Sequence, residues 1–232
     1  MKLKALREEV VEANLELTRR GLVLYTFGNA SGFSSDDGLM AIKPSGVAFE
    51  KLRPDNIVVM DLDGRIVEGE LRPSSDAPTH LELYRRFEGI GGVVHTHSTH
   101  AVAWAQAGLE IPCLGTTHAD YFRGAIPVTD ELSSEEIEGE YEAETGVVIA
   151  RRFAGVDPRE IPAVLVRGHG PFCWGPTATD AARNAVLLEE IARMAALSRA
   201  LNPQAEPISD ALRDKHFCRK HGPAAYYGQS GS

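Results

Sequence analysis

The segment Gly92-Val93-Val94-His95-Thr96-His97 combines a short apolar run with two histidines two residues apart. The β-branched run predicts a buried strand, and strand side chains alternate between the two faces of a sheet. His95 and His97 are therefore expected on one face, with Thr96 on the other. Two imidazoles on one face are suited to binding a metal ion, although such a pair also occurs by chance at ordinary core or surface positions.

A third histidine follows another apolar run further along the chain. The segment Val164-Leu165-Val166-Arg167-Gly168-His169 predicts a buried strand that leads into a histidine flanked by glycines. Three histidines with an open coordination position are typical of a catalytic metal centre, whereas structural zinc sites are closed by four protein ligands. Asp76 begins a predicted helix, and we expect it to cap that helix, to lie at the metal, or both.

Three turns of small polar residues predict an anion-binding site. They are Gly28-Asn29, Ser45-Gly46 and Ser74-Ser75. Glycine lets backbone N–H groups approach an oxyanion, serine and asparagine add donors, and the third turn opens a helix whose dipole favours an anion. Lys43 would add a positive charge beside the second turn. Each turn alone is ordinary loop chemistry, but three of them near the metal strands indicate a phosphate.

The remaining patterns predict helices and strands without a strict alternation of the two. Helices are predicted over 2–20, 76–88, 98–107, 133–153, 178–201 and 208–220, and strands over 22–25, 39–42, 57–61, 66–67, 92–97, 111–114 and 163–167. Residues 28–32 are predicted to form a loop. This order indicates an α/β fold in which a mixed, largely antiparallel central sheet is flanked by helices.

Length and composition indicate a single globular domain over residues 1–232. The chain is 43% hydrophobic and 25% charged, without a linker-like segment. Its net charge of −9 disfavours nucleic acid and anionic membranes as partners, and we expect neither a signal peptide nor a membrane span. The three widely spaced cysteines, Cys113, Cys173 and Cys218, suit the reducing cytoplasm and are expected to be buried thiols.

Polar residues in the second half of the chain provide further candidates. His118 is expected to be a hydrogen-bonded core residue, and Asp120 is either a proton shuttle or an exposed loop carboxylate. His80 is expected to be structural or to lie on the surface. The basic segment 215–221 either complements a helix dipole or forms a positive rim for an anionic substrate. The tail with Tyr227 is too short to fold alone and is expected to dock onto another surface, such as a neighbouring subunit.

Together these motifs resemble the class II aldolase/adducin family over nearly the whole chain. The segments that carry the resemblance are Gly28-Asn29, Ile42-Lys43-Pro44-Ser45-Gly46-Val47, Pro73-Ser74-Ser75-Asp76, Val94-His95-Thr96-His97-Ser98, Gly115-Thr116-Thr117-His118-Ala119-Asp120-Tyr121, Gly139-Glu140-Tyr141-Glu142, His169-Gly170-Pro171-Phe172 and Ala225-Tyr226-Tyr227-Gly228-Gln229. The resemblance implies a cyclic homotetramer with active sites between adjacent subunits, so that segment 208–232 would reach an interface.

The resemblance also implies roles for individual residues. A divalent metal, usually zinc and otherwise an ion such as Mn²⁺ or Co²⁺, would be held by four side chains, namely Asp76, His95, His97 and His169. The phosphate of a small sugar-phosphate substrate would be held, with Lys43 nearby, by the residues of the three turns, namely Gly28, Asn29, Ser45, Gly46, Ser74 and Ser75. Asp120 and Tyr227 would be the acid/base pair.

Within the family, the chain is most similar to members that epimerise a phosphorylated ketopentose by breaking and re-forming a carbon–carbon bond. The sugar-phosphate aldolases of the family carry Glu, which serves as a base, where Asp76 stands here. A shorter Asp is expected to stay on the metal and leave proton transfer to Asp120 and Tyr227. Alternatives are an aldolase on the same scaffold and a non-enzymatic adducin-like domain, in which the metal histidines would be lost. A metal-dependent hydrolase would need a water-activating glutamate that nothing in the sequence resembles.

Overall fold

The computed structural model describes residues 1–222 and 225–227. The described chain has seven strands, namely β1 Asn29–Ser34, β2 Leu39–Ile42, β3 Val58–Asp61, β4 Ile66–Glu68, β5 Gly92–His95, β6 Ala163–Val166 and β7 Gly170–Gly175. They form one sheet in the order β4-β3-β2-β1-β5-β7-β6. All pairs of neighbouring strands are antiparallel, and a parallel bridge joins Val128 to Leu165. The prediction of a largely antiparallel central sheet is confirmed.

Helices connect the strands and cover the sheet. They are α1 Lys4–Arg19, α2 Ala77–Arg86, α3 Thr99–Ala107, α4 Thr116–Ala119, α5 Ser134–Glu138, α6 Tyr141–Arg152, α7 Ala178–Leu201 and α8 Asp210–Cys218. The helix predicted over 133–153 is two helices, interrupted at Gly139. Ser133 and Glu136 form the predicted capping box at the start of α5.

Because side chains alternate between the two faces of the sheet, the core consists of two hydrophobic clusters, one on each face. Met40 and Ile42 of β2 pack on the face covered by α2 and α6, whereas Ala41 packs on the face covered by α1, α3 and α7. The same alternation holds in β5, where Val93 and Val94 lie on opposite faces. Because helices cover both faces, the three-layer arrangement predicted for this sheet is confirmed.

Strand β1 was the least predictable part of the sheet. Residues 28–32 were predicted as a loop, but Ser31 and Gly32 pair with Val93 and Gly92 of β5. A Cβ at Gly32 would lie only 2.7 Å from Cδ1 of Leu6, so the small residue lets α1 approach the strand. Low strand propensity was therefore overridden by close helix–sheet packing.

Several other predictions were wrong in detail. Residues 22–25 are not a strand, and 111–114 contribute only an isolated bridge at Ile111. Strand β7 was not predicted. Cys218 is exposed rather than buried, because it lies at the end of α8, while Cys113 and Cys173 are buried as expected. The end of the motif at Gly228-Gln229 and the terminal residues 230–232 lie outside the described part of the chain.

Candidate metal centre and substrate pocket

Three imidazoles meet where β5 ends and where β6 turns into β7. His95 is the last residue of β5, and His169 lies in the β6–β7 turn, with its backbone N–H donating to the Val166 carbonyl at 3.0 Å. His97 lies beyond the strand end, so its position comes from the loop before α3 rather than from strand alternation. The ring centroids are 4.7 to 5.1 Å apart, and one ring nitrogen from each lies within 4.8 Å of the others.

The hydrogen bonding of His95 leaves one nitrogen free for a metal. Its Nδ1 lies 3.0 Å from the Pro171 carbonyl oxygen, which can only accept, so Nδ1 carries the proton and Nε2 keeps its lone pair. The ring also stacks on Phe172, with centroids 4.3 Å apart. Burial lowers the pKa of His95 to about 3, which keeps the imidazole in the neutral form that binds metals.

Asp76 supplies a carboxylate to the same pocket. It occupies the N-cap position of α2, but its side chain makes no capping hydrogen bond; instead Oδ2 accepts from Nδ2 of Asn29 at 2.5 Å. Burial would raise the pKa of the Asp76 carboxyl, but the neighbouring imidazoles and the Asn29 hydrogen bond outweigh it and lower the pKa. Three imidazole nitrogens beside an ionised carboxylate fit a divalent cation such as Zn²⁺.

The pocket around these groups has a volume of about 390 Å³. All predicted metal and phosphate residues line it, and four further residues, Thr26, Phe27, Tyr141 and Glu142, were not predicted to do so. The hydroxyl of Tyr141 lies 3.4 Å from Nδ1 of His169. Tyr141 and Glu142 begin α6 and belong to a motif that the sequence marked without assigning it a role.

Two of the three small-residue turns lie side by side because their backbones are joined, and Asn29 of the remaining turn donates from Nδ2 to Oγ of Ser74 at 3.0 Å. The N–H of Ser74 donates to the Lys43 carbonyl at 3.0 Å, and the N–H of Ser45 donates to the Arg72 carbonyl at 2.9 Å. Gly28 must be a glycine, because its φ is +88° and a Cβ there would lie 2.9 Å from the His95 carbonyl oxygen. These turns are thus fixed against the strand that ends in His95.

Lys43 is a buried cation at this pocket. Its side chain is 2% exposed, and Nζ lies 4.8 Å from the ring centroid of Phe49. Burial lowers the pKa of Lys43 to about 8, although the charge of Asp76 opposes the shift. The ammonium group therefore remains largely protonated at neutral pH and favours an anion in the pocket.

Asp120 and Tyr227 do not line this pocket. Asp120 follows α4, and its carboxylate receives hydrogen bonds from Arg219 and His216 and an ion pair from Lys220 at 3.3 Å. The ring of Tyr227 lies against the same two cations, 5.2 Å from Cζ of Arg219 and 4.4 Å from Nζ of Lys220. Only 8% of Asp120 is exposed, so the exposed-loop alternative is wrong.

Two other histidines are internal. The ring of His118 is buried, and its Nε2 donates to the Gly124 carbonyl at 2.7 Å, which confirms a hydrogen-bonded core role. His80 is completely buried beneath the pocket rather than on the surface.

Sequence comparison relates this arrangement to known proteins. The sequence profile of the Class II Aldolase and Adducin N-terminal domain matches residues 8–196. The chain belongs to this family. Within the family it is 57% identical over 227 residues to the L-ribulose-5-phosphate 4-epimerase UlaF of Salmonella paratyphi B, covering 98% of this chain and 100% of that protein. The protein of the same name from Salmonella typhi is equally similar, with the same coverage.

Solved structures of family members share the fold. An L-fuculose 1-phosphate aldolase superposes with a TM-score of 0.77 at 25% identity, covering 91% of this chain and 94% of that one. YgbL from Klebsiella pneumoniae, described as a putative aldolase/epimerase/decarboxylase, superposes with a TM-score of 0.74 at 26% identity, covering 93% and 99%. Within residues 1–222 and 225–227, no helix is both long and apolar enough to span a membrane.

Proposed function

We propose that the chain converts L-ribulose 5-phosphate into D-xylulose 5-phosphate by metal-dependent epimerisation at C4. The observation that carries this proposal is the cluster formed by His95, His97 and His169 beside Asp76, in a pocket that Lys43 and the three small polar turns also line. The 57% identity to an L-ribulose-5-phosphate 4-epimerase over nearly the full length supports this substrate and reaction.

The chemistry of the substrate explains why such a pocket is needed. The carbonyl group of L-ribulose 5-phosphate is at C2, so the hydrogen on C4 is not acidic and direct deprotonation is disfavoured. Cleavage of the C3–C4 bond leaves the electron pair on the three-carbon fragment and generates glycolaldehyde phosphate. If the aldehyde then turns and is attacked on its other face, C4 has the opposite configuration.

The proposed metal residues are the three histidines and Asp76, and Zn²⁺ is the proposed ion, with Mn²⁺ or Co²⁺ as substitutes. A bound cation would act as a Lewis acid and lower the energy of the negative charge that develops when the C3–C4 bond breaks. The neutral His95 ring is already oriented for this role by the Pro171 carbonyl. Asn29 orients Asp76 in the same way.

We assign phosphate binding to the turn residues Gly28, Asn29, Ser45, Gly46, Ser74 and Ser75, together with Lys43. Backbone and hydroxyl donors of these turns would hold the phosphate while the aldehyde fragment turns, so that it re-adds instead of leaving. The Oδ1 atom of Asn29 is buried without a hydrogen-bond partner in the described chain. A substrate hydroxyl group that donates to this oxygen would satisfy it.

Asp120 and Tyr227 are the proposed acid/base pair, one accepting the C4 hydroxyl proton during cleavage and the other returning a proton on re-addition. Both lie outside the metal pocket of their own chain, beside Arg219 and Lys220. We therefore propose a homotetramer in which segment 208–232, with Tyr227 and the cations that hold Asp120, places this pair at the metal pocket of an adjacent subunit. Residues 1–232 would form a single catalytic domain that works in the cytoplasm.

The decisive experiment is an assay of the purified chain with L-ribulose 5-phosphate before and after metal removal. We expect D-xylulose 5-phosphate from the loaded protein, loss of activity once metal analysis verifies removal, and recovery when Zn²⁺, Mn²⁺ or Co²⁺ is added. Undiminished turnover by verified metal-free protein would contradict the proposal. Net accumulation of free glycolaldehyde phosphate would instead favour an aldolase.

A further inference from the structure

A buried chain of polar side chains lies directly beneath the metal pocket. His80 of α2 is 0% exposed, its Nδ1 is 2.7 Å from Oγ of Ser31, and that Oγ is 2.7 Å from the hydroxyl of Tyr84. The other ring nitrogen of His80, Nε2, is buried without a hydrogen-bond partner among the described residues. Leaving a buried polar group unpaired is unfavourable, so this nitrogen requires an explanation.

The hydrogen bonds determine which nitrogen of His80 carries the proton. If Tyr84 donates to Ser31 and Ser31 donates to Nδ1, every hydroxyl proton in the chain is paired. In the opposite direction the Tyr84 proton would lack an acceptor in the described part of the protein. The first direction is therefore favoured, and it places the imidazole proton on Nε2. The unpaired group is a donor.

Asp76 is the natural acceptor for this donor. It lies four residues before His80 on α2, and the backbone N–H of His80 donates to the Asp76 carbonyl at 3.1 Å, so both side chains lie on one helix face. Burial lowers the pKa of His80 to about 4, and the charge of the nearby Asp76 carboxylate opposes that shift. His80 is thus a neutral, fixed donor beside a buried anion.

We propose that His80 is a positioning residue for Asp76, donating its Nε2–H to the carboxylate when a metal is bound. Asn29 already donates to Oδ2 of Asp76, so the two residues would hold the carboxylate from both sides. Ser31 would act one step further back, because its donation to Nδ1 fixes the tautomer of His80. This inference depends on the proposed metal site, and it adds a residue that does not touch the metal itself.

The test measures Zn²⁺ affinity, by competition with a chromophoric chelator, and thermal unfolding of each protein with and without Zn²⁺. His80→Leu removes the donor, and we expect Zn²⁺ to bind about 10- to 100-fold more weakly, with less stabilisation by the metal. His80→Gln keeps a side-chain N–H group and should recover part of the affinity. Tyr84→Phe is the matched control, because it damages the same buried chain but leaves Nε2–H in place.

The control separates positioning from a purely structural role. A structural role would lower the unfolding temperature of the metal-free His80 variants and leave their Zn²⁺ affinity unchanged. Zn²⁺ affinity in His80→Leu equal to that of the wild type, or reduced no more than in Tyr84→Phe, would overturn the inference while leaving the metal site intact. If the wild type itself bound no Zn²⁺, the metal site would be wrong and the inference would fall with it.

Discussion

The guanidinium group of Arg219 binds both oxygens of the Asp120 carboxylate, with Nε 3.0 Å from Oδ1 and Nη2 2.7 Å from Oδ2. Such a two-point ion pair fixes both the position and the charge of the acid. Burial, the largest influence, would raise the pKa of the Asp120 carboxyl, but the hydrogen bonds from Arg219 and His216 outweigh it and lower the pKa. Asp120, one member of the proposed acid/base pair, is thus held ionised.

Arg219→Gln should therefore raise the pKa of Asp120 and move the acidic limb of the kcat/KM profile to higher pH. A lowered carboxyl pKa stabilises the fold at neutral pH, and that stability is lost as pH falls through the folded-state pKa. The variant should accordingly be less stable at pH 7 and lose less stability in acid. Arg213→Gln is the control, because Arg213 pairs with Asp210 and Asp214 instead. An unmoved acidic limb in Arg219→Gln would contradict the role of Asp120.

Subunit complementation tests whether each active site is shared between chains. Asp120→Asn should lose about 10² to 10⁴-fold in rate but keep its metal, whereas His97→Asn should lose both metal and activity. Each proposed site combines the metal residues of one chain with Asp120 and Tyr227 of its neighbour. Random assembly of the two inactive variants places an intact metal half beside an intact acid/base half at about one site in four, so mixed oligomers should recover up to about a quarter of the wild-type activity.

The control for complementation is a mixture of Asp120→Asn with Tyr227→Phe. Both defects lie in the same half of the proposed shared site, so this mixture should stay inactive. If mixed oligomers of Asp120→Asn and His97→Asn are verified and still show no recovery of activity, the active site is contained in one chain.

Lys43→Met should stabilise the protein and weaken substrate binding. Burial lowers the pKa of Lys43 from 10.5 to about 8. Between these two pH values Lys43 binds more protons in the unfolded chain than in the folded one, so its contribution to the free energy of unfolding rises with pH. Below pH 8 the buried charge costs stability, so the variant should gain about 1 to 3 kcal/mol in the free energy of unfolding at pH 7.

The same substitution should raise KM for the sugar phosphate about tenfold or more at pH 7, since a charge-assisted contact is lost. Denaturant unfolding at pH 7 and pH 9.5, together with steady-state kinetics, measures both effects. Lys51→Met is the matched control, because Lys51 is exposed on the surface and should change neither quantity. Unchanged KM in Lys43→Met would remove this residue from the phosphate site.

Glu189 of α7 holds the beginning of α3, directly after the loop that carries His97. Its carboxylate accepts hydrogen bonds from the backbone N–H groups of His100 and Ala101 at 2.9 and 3.0 Å, and it pairs with the His100 ring at 2.7 Å. Glu189→Gln should lower the free energy of unfolding by about 1 to 2 kcal/mol. Because the loop loosens, it should also weaken Zn²⁺ binding about tenfold.

Glu190→Gln provides the comparison, since Glu190 pairs with Arg193 on the surface of the same helix. Chelator competition and denaturant unfolding of both variants measure the two effects. Equal Zn²⁺ affinity in Glu189→Gln and Glu190→Gln would show that the α3 cap does not position His97.

The spacing of apolar residues predicted those helices and strands whose own sequence has a strong hydrophobic pattern. Helix α7 begins and ends at the predicted residues, and the strands predicted over 57–61 and 66–67 are found as β3 and β4. Strand β1 could not be predicted in this way, because Asn29, Ser31 and Gly32 have low strand propensity. It forms a strand because β2 and β5 pair with it on both sides and because α1 packs closely against Gly32.

The sequence by itself determined which residue types meet at the pocket, because histidine spacing and small polar turns are local patterns with a specific chemistry. The tertiary structure alone decided how these groups are held. The proton of His95 is placed by Pro171, the Asp76 carboxylate is oriented by Asn29, and Asp120 and Tyr227 are kept away from the pocket of their own chain. Such relationships join residues far apart in sequence, and no local pattern encodes the distance between them.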